Sequence, residues 1–355
     1  MIVPLHFKRF ASLLPVALIC GPSYARFLYW SRSSQLLDAQ NVWQQFTQLS
    51  NPAFEWSLTH YPPGLTRQIL CDFYAFAIDR VSGIAKHYDL SNNFYQLFLD
   101  KDLFYSCADF LNAADTLEDA QEHKANYLLN LINPQPGERI LDLGCGWGGM
   151  LKRIYEKTGD RENLCGYTLS AEQKRWIDEQ YGFKVELKDF ITAEYGRESL
   201  DKIYSVGAIE HVPKSKLLPL SQTLARALSP TGRIVHHFFC QLSEFPPARL
   251  LFAGTEIFPS AELSSLKRHL KAFEQAGLQI VHHSVHDYRP TLVAWFNRLA
   301  TNQEAAVELV GISTYNLYLC YLAEAWRLFD DRDLLLMRFV LQRRDVAPPN
   351  QSAFG

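Results

Sequence analysis

The sequence lacks any run of about 18–20 consecutive apolar residues, the length a helix needs to span a bilayer. It also lacks a C-x-x-C pair. Its seven cysteines are scattered at 20, 71, 107, 145, 165, 240 and 320. That scatter excludes a zinc ribbon and a disulfide framework, and the odd number points to reduced thiols in a cytosolic compartment. There is no excess of basic charge: 35 Lys and Arg face 38 Asp and Glu, for a net charge of −3. A nucleic-acid partner is therefore not expected. No internal repeat is present. The 355 residues are 48% hydrophobic and 21% charged, an ordinary globular composition that fills one large domain or two unequal ones.

Glycine, sparse elsewhere, crowds into Ile-Leu-Asp-Leu-Gly-Cys-Gly-Trp-Gly-Gly at 140–149. An apolar run ends at Asp142, Gly144, Gly146, Gly148 and Gly149 follow, and a helical stretch begins at Met150. A strand ending in such a loop lets backbone approach a ligand closely. The spacing is G-x-G-x-G, not the dinucleotide spacing G-x-G-x-x-G. Asp142, two places before the first glycine, can face a cationic group. Together these features suggest an S-adenosylmethionine (SAM) site; a tight turn with no ligand is the competing reading.

From about Pro134 short apolar runs alternate with helical stretches, which predicts a parallel sheet with crossover helices. The expected strands are 139–143, 163–167, 184–187, 202–206, 233–239, 278–284 and 335–341. About 38 residues separate the fifth from the sixth and about 50 the sixth from the seventh. Connections that long predict helical insertions over the ligand crevice.

Several clusters bear chemistry. Thr168 and Gln173 can bind a diol, although Ser170 with Gln173 also reads as a helix cap. Asp189-Phe190 offers a carboxylate and a ring to an adenine, or a plain turn aspartate. Glu210-His211 sits among small and apolar residues, where burial would raise a carboxyl pKa; a structural pair is the alternative. On the fifth expected strand His236 and His237 face opposite ways, one under a helix and one toward the crevice. His282, His283 and His286 lack a supporting Cys or carboxylate cluster, so no metal is expected. An aromatic segment with many hydroxyls, His87 to Tyr95 and Lys101 to Ala108, could form a lid.

These segments together resemble the cyclopropane-fatty-acyl-phospholipid synthase family, which includes the mycolic acid cyclopropane synthases. The matching stretches are His87–Asp89 with Phe94-Tyr95, Tyr105–Ala108, Leu141–Gly149, Thr168–Gln173, Ser205–Val212, the His237 strand, Tyr288–Trp295 and Tyr318 to Arg327, so the resemblance covers residues 86–344. It implies an α/β class I methyltransferase fold, a Rossmann-like seven-stranded sheet whose last strand is antiparallel. It implies SAM held by Tyr105, Ser106, Gly144, Gly146, Thr168, Leu169, Gln173 and Asp189. It also implies a bicarbonate ion held by Cys107, Glu210, His237 and Tyr318, with Phe239 at the main-chain position. The implied reaction adds a methylene to the cis double bond of an unsaturated phospholipid acyl chain. A carbocation forms in a dry pocket, aromatic faces such as that of Tyr318 stabilise it, and bicarbonate takes the proton as the ring closes. Ala208-Ile209 and Pro213 stand where members usually have Met-Phe and Gly. A methyl-branching fatty-acyl C-methyltransferase, or a small-molecule N-methyltransferase on the same fold, is therefore the alternative.

The expected organisation is a helical N-terminal region at 1–85 with a break at Tyr61-Pro62-Pro63-Gly64, a methyltransferase domain at 86–345 and a flexible tail at 346–355. Before the first acid, Asp38, stand Lys8, Arg9, Arg26 and Arg32 among Phe, Leu, Tyr and Trp. Such a segment suits an anionic bilayer surface, or packs as a buried helix. A secretory signal is disfavoured by Pro15 and the absence of a clean cleavage site. The expected location is cytoplasmic and peripheral to the membrane, with a homodimer allowed.

Overall fold

A computed structural model describes residues 31, 33–47, 91–244, 257 and 262–344. The described residues fall into two compact units. One takes those up to Leu103 with 241–262 and 287–334; the other takes Phe104–Cys240, Leu263–His286 and those from Leu335. The expectations for residues 1–30, 48–90 and 346–355, the His87–Leu90 stretch included, lie outside the described residues.

The second unit is built on seven strands: β1 Ile140–Leu143, β2 Leu164–Thr168, β3 Lys184–Leu187, β4 Leu200–Val206, β5 Leu228–Gln241, β6 Leu278–His286 and β7 Leu334–Arg343. Their order is β3-β2-β1-β4-β5-β7-β6. β1 pairs in parallel with β2 and β4, β2 with β3, and β4 with β5, whereas β6 and β7 run antiparallel. This is the expected mixed sheet with its last strand reversed. β5 starts five residues before the expected Arg233. The pairing shifts from Leu200 opposite Leu228 to Lys202 opposite Arg233. The extra residues around Pro230 form a bulge, the place where a sheet tolerates a proline.

The helices of this unit are α3 Leu117–Ile132, α4 Gly149–Thr158, α5 Ala171–Gln180, α6 Lys214–Ala227 and α7 Leu266–Gln275. Strand alternation divides the core between two faces. Leu141, Leu143, Ile203, Phe238 and Phe339 pack with Leu217, Leu220 and Leu224 of α6 and Phe273 of α7. Ile140, Tyr204, Val235 and Val340 pack with Leu128 of α3, Leu151 and Ile154 of α4 and Ile177 of α5. Local signals set where helices begin. Thr116 and Asp119 form a reciprocal capping box ahead of α3, and Ser170 and Ser265 accept N3 amides at the starts of α5 and α7.

The other unit is helical among its described residues: α1 Ala39–Thr47, α2 Asn92–Gln96, α8 Arg289–Thr301 and α9 Gln303–Asp330. α9 bends at Gly311, whose φ is 78° and ψ 161°. Trp43 of α1 packs its ring 4.7 Å from Phe296 of α8 and 5.6 Å from Trp326 of α9. Arg298 and Asn302 donate to the carbonyls of Leu99 and Leu97, tying the segment after α2 to α8. The long connection between β6 and β7 is thus helical, as its length predicts. No helix among the described residues is long and apolar enough to cross a membrane.

Candidate active site

The site grows from the carboxyl ends of β1, β2, β4 and β5, where an open α/β sheet presents backbone to ligands. At the end of β1 a Cβ on Gly144 would stand 2.7 Å from the Ala208 Cβ, and φ there is +84°. Only glycine fits. Two residues on, a Cβ on Gly146 would meet nothing within 4 Å, so the loop opens onto space. Asp142 is buried just before the loop. Burial pushes its pKa up to about 8, partly opposed by the neighbouring Tyr204 hydroxyl. Its Oδ1 has no hydrogen-bond partner among the described residues. A buried carboxylate oxygen beside open backbone fits the cationic amino group of SAM.

β2 delivers Thr168, buried, and Leu169, half-buried, to the same end of the sheet. The Thr168 hydroxyl donates to Gln173 Oε1 at 2.7 Å, and Ser170 Oγ accepts the Gln173 amide at 3.2 Å. The helix-cap reading is therefore realised. It also holds the Gln173 side chain by its carbonyl, which leaves the NH2 as the donor toward a ligand. Asp189 accepts the Ile191 amide at 3.0 Å as a turn aspartate does, and the next ring, Phe190, comes within 4.0 Å of the Gly144 Cβ position.

Tyr105, Ser106 and Cys107 lie on the segment between Phe104 and α3. Gln121 of α3 donates to the carbonyls of Phe104 and Ser106, and Lys124 donates to Ser106 Oγ at 3.1 Å. At Asp109 the backbone amide donates to the Ala120 carbonyl at 3.0 Å. Cys107 is fully buried between these anchors, and its thiol reaches the Ala108 carbonyl at 3.4 Å. The segment meets the β4 end at Gly207, whose Cβ position lies 3.8 Å from Ser106 Cβ and the Tyr105 carbonyl and 3.9 Å from Glu210 Oε1.

Glu210 sits on a single 3-10 turn, Ile209–His211, and is buried. Desolvation pushes its pKa up to about 8, against backbone hydrogen bonds from its own amide and that of Phe239. It is therefore protonated at neutral pH, and Oε2 has no partner among the described residues. The Gly207 amide donates to the His237 carbonyl at 2.8 Å, which brings the Glu210 turn beside β5. The two adjacent histidines divide as strand alternation requires. His236 accepts or donates with Ser205 Oγ at 2.8 Å and stacks on Phe273 under α7. His237, fully buried, meets the Arg338 Nε with its Nδ1 at 2.9 Å, and its Nε2 has no partner among the described residues. Burial, reinforced by the charges of Arg338, Lys124 and His286, holds its pKa well below the ordinary range.

Tyr318 belongs to the helical unit. It is buried in a cluster with Phe94, Phe98 and Tyr321, and its hydroxyl lies 3.1 Å from that of Tyr95. Thus the segments that carry Cys107, Glu210 and His237 meet at Gly207, at the end of β4, while Tyr318 packs with Phe94 and Tyr95 of α2 in the helical unit.

Sequence reasoning passed over Arg338, Asp109 and Lys124. Arg338 had a signal: it is the one charge in the apolar run Leu334–Leu341. Its guanidinium is completely buried and forks onto Asp109 at 2.8 Å through both terminal nitrogens. The histidines of β6 go to hydrogen bonds: His282 to Tyr127, His286 to Ser284 and Asp109. Among the described residues no group of three His, Cys, Asp or Glu is placed to hold a metal.

The mycolic acid cyclopropane synthetase family model matches residues 77–339. A probable fatty acid methyltransferase of Mycobacterium tuberculosis is 32% identical over 273 residues; the match covers 74% of this chain and 62% of that protein. A cyclopropane mycolic acid synthase of Mycobacterium bovis is also 32% identical, over 74% of this chain and 94% of its own length. Among solved structures, mycolic acid cyclopropane synthase CmaA1 in complex with SAH and CTAB has 28% identity and a TM-score of 0.69, covering 75% of this chain and 99% of that one. Coclaurine N-methyltransferase, at 16% identity and a TM-score of 0.70, shares the fold and covers 90% of this chain. The chain belongs to the mycolic acid cyclopropane synthetase family of SAM-dependent methyltransferases.

Proposed function

We propose that this protein transfers a methylene to the cis double bond of an unsaturated phospholipid acyl chain at a membrane surface, with bicarbonate as the proton acceptor. One observation carries the reading: Glu210 Oε2 and His237 Nε2 are both buried and both without partners among the described residues, on adjoining segments joined by hydrogen bonds from the Gly207 amide to the His237 carbonyl and from the Phe239 amide to the Glu210 carboxyl. Two buried donors demand an acceptor. A protonated carboxyl and a neutral imidazole N–H suit a small oxyanion.

SAM supplies an electrophilic methyl when bound. Its place would be the Gly144–Gly146 loop, with Asp142 toward the amino group, Thr168, Leu169 and Gln173 toward the ribose, and Asp189 toward the adenine. Tyr105 and Ser106 would close over it from the segment packed on Gly207. Bicarbonate would supply a base beside Glu210, whose own carboxyl holds its proton at neutral pH. Glu210 and His237 would orient it by donating hydrogen bonds, with Cys107 on the adjoining segment, while the Phe239 amide holds the Glu210 carboxyl in place. Cys107 would act as a hydrogen-bonding neighbour, its buried thiol already donating to the Ala108 carbonyl at 3.4 Å. A carbocation on the acyl chain requires that water be kept away, and Glu210 and His237 are 4% and 0% exposed.

Incubation of the protein with SAM, bicarbonate and vesicles of unsaturated phospholipid tests this. Mass spectrometry should show one carbon added to the acyl chain, and NMR of the product should show a cyclopropane. Unaltered acyl chains would reject the proposal. The relatives named as fatty acid methyltransferases favour a second reading, a methyl branch in place of the ring, which the same spectrum separates.

A further inference from the structure

The buried guanidinium of Arg338 does something more specific than balance Asp109. Its Nε lies 2.9 Å from His237 Nδ1. A guanidinium stays charged and cannot accept a hydrogen bond. His237 Nδ1 must therefore be the acceptor. A neutral imidazole with one accepting nitrogen carries its proton on the other. That other nitrogen, Nε2, is the buried atom without a partner.

Arg338 is prevented from turning away. Asp109 grips both terminal nitrogens at 2.8 Å, and the Tyr127 ring lies 4.9 Å from the guanidinium carbon. Asp109 is itself fixed, with His286 Nδ1 at 3.2 Å and its backbone bonded to Ala120 and His123. Burial alone would raise the Asp109 pKa, but the hydrogen bonds from His286 and Arg338 hold it at about 2. Arginine suits the place because it offers two donors toward Asp109 and one back toward His237.

We propose that Arg338, clamped by Asp109, is a positioning residue that locks His237 in the Nε2–H tautomer, so that His237 serves only as a hydrogen-bond donor and never as the base. The recipient of that donated hydrogen bond rests on the anion reading above; the tautomer itself does not.

Two isosteres separate this role from a structural one. In Arg338→Gln the amide nitrogen falls where Arg Nε stands, so the donor to His237 is kept while the Asp109 fork is lost. In Arg338→Met a methyl takes that place, and both are lost. The full-length protein labelled with 15N-histidine would be examined by long-range 1H–15N correlation, with His237→Gln assigning the resonance. Wild type and Arg338→Gln should show His237 protonated on Nε2, and Arg338→Met should lose that fixed tautomer. The bicarbonate concentration for half-maximal methyl transfer should rise about tenfold in Arg338→Met and stay within about threefold of wild type in Arg338→Gln, the scale of one buried hydrogen bond. A wild-type His237 protonated on Nδ1, or two variants impaired alike in both readouts, overturns the proposal. The wild-type spectrum decides the tautomer even if Arg338→Met fails to fold. If the tautomer pattern holds while methyl transfer ignores bicarbonate, the lock stands and the anion reading falls.

Discussion

The Phe239 backbone amide donates to the Glu210 carboxyl, and that contact does not offset the cost of burying the acid. Glu210 therefore holds its proton up to about pH 8. With the folded-state pKa raised above the unfolded value, the folded protein binds the extra proton between about pH 4.5 and 8. Stability from this group is full below that window and is lost as pH rises through it. Turnover should fall along an alkaline limb near pH 8, as an ionised Glu210 stops donating and repels an anion. Glu210→Gln keeps a neutral donor and should flatten that limb in a pH–rate profile; an unchanged limb would assign it to another group.

Asp142 presents the same raised pKa, about 8, at the glycine loop. A cationic amino group next to it would draw off the proton. Binding of SAM at pH 7 should release close to one proton, measured by calorimetry in buffers of different ionisation enthalpy. Asp142→Asn should abolish the release and weaken binding by about tenfold or more. Proton release that persists in the variant would point elsewhere.

Gly144 has no room for a side chain, with Ala208 Cβ at 2.7 Å from the Cβ position. Gly144→Ala should cost about 1–3 kcal/mol of stability, from strain at positive φ and overpacking together. Thermal melting would measure it. Pairing the substitution with Ala208→Gly should recover part of the loss by removing the clash while leaving the φ strain.

The hydroxyls of Tyr95 and Tyr318 lie 3.1 Å apart in the helical unit. Loss of either should destabilise by about 1 kcal/mol. The family resemblance implicates Tyr318 in the reaction, so Tyr318→Phe should lower turnover by about tenfold, whereas Tyr95→Phe should lower it less. Equal effects on rate would reduce Tyr318 to a packing role. Melting curves and steady-state kinetics of the two variants decide.

The basic, aromatic segment before Asp38 predicts attachment to anionic bilayers. Asn316 accepts the Leu37 amide at 3.1 Å and donates to the carbonyls of Ser33 and Gln35, so a truncation should stop at residue 30 to keep this anchor. Removing residues 1–30 should abolish sedimentation with anionic phospholipid vesicles. Sedimentation that survives would locate membrane contact elsewhere.

The seven strands were legible because each is a short apolar run ending at a turn signal, and periodicity alone identifies such runs. The cofactor loop was legible because close backbone approach leaves glycine as the only choice. The opposite faces of His236 and His237 were legible too, since alternation is a property of a single strand. The insertion after β6 announced itself by length, but its kink at Gly311 did not, because one glycine in an apolar run gives no sign of how the backbone turns there.

Local sequence also fixed the chemistry by residue type: a cysteine, a glutamate and a histidine in segments of recognisable pattern. What those groups are depends on contacts between positions far apart in the chain. Glu210 is an acid at neutral pH because the fold buries it against Phe239 of β5. His237 is a donor because a guanidinium 101 residues away, itself gripped by a carboxylate 229 residues from it, occupies the other nitrogen. Protonation state and tautomer follow from desolvation and partner identity, which only the tertiary structure decides.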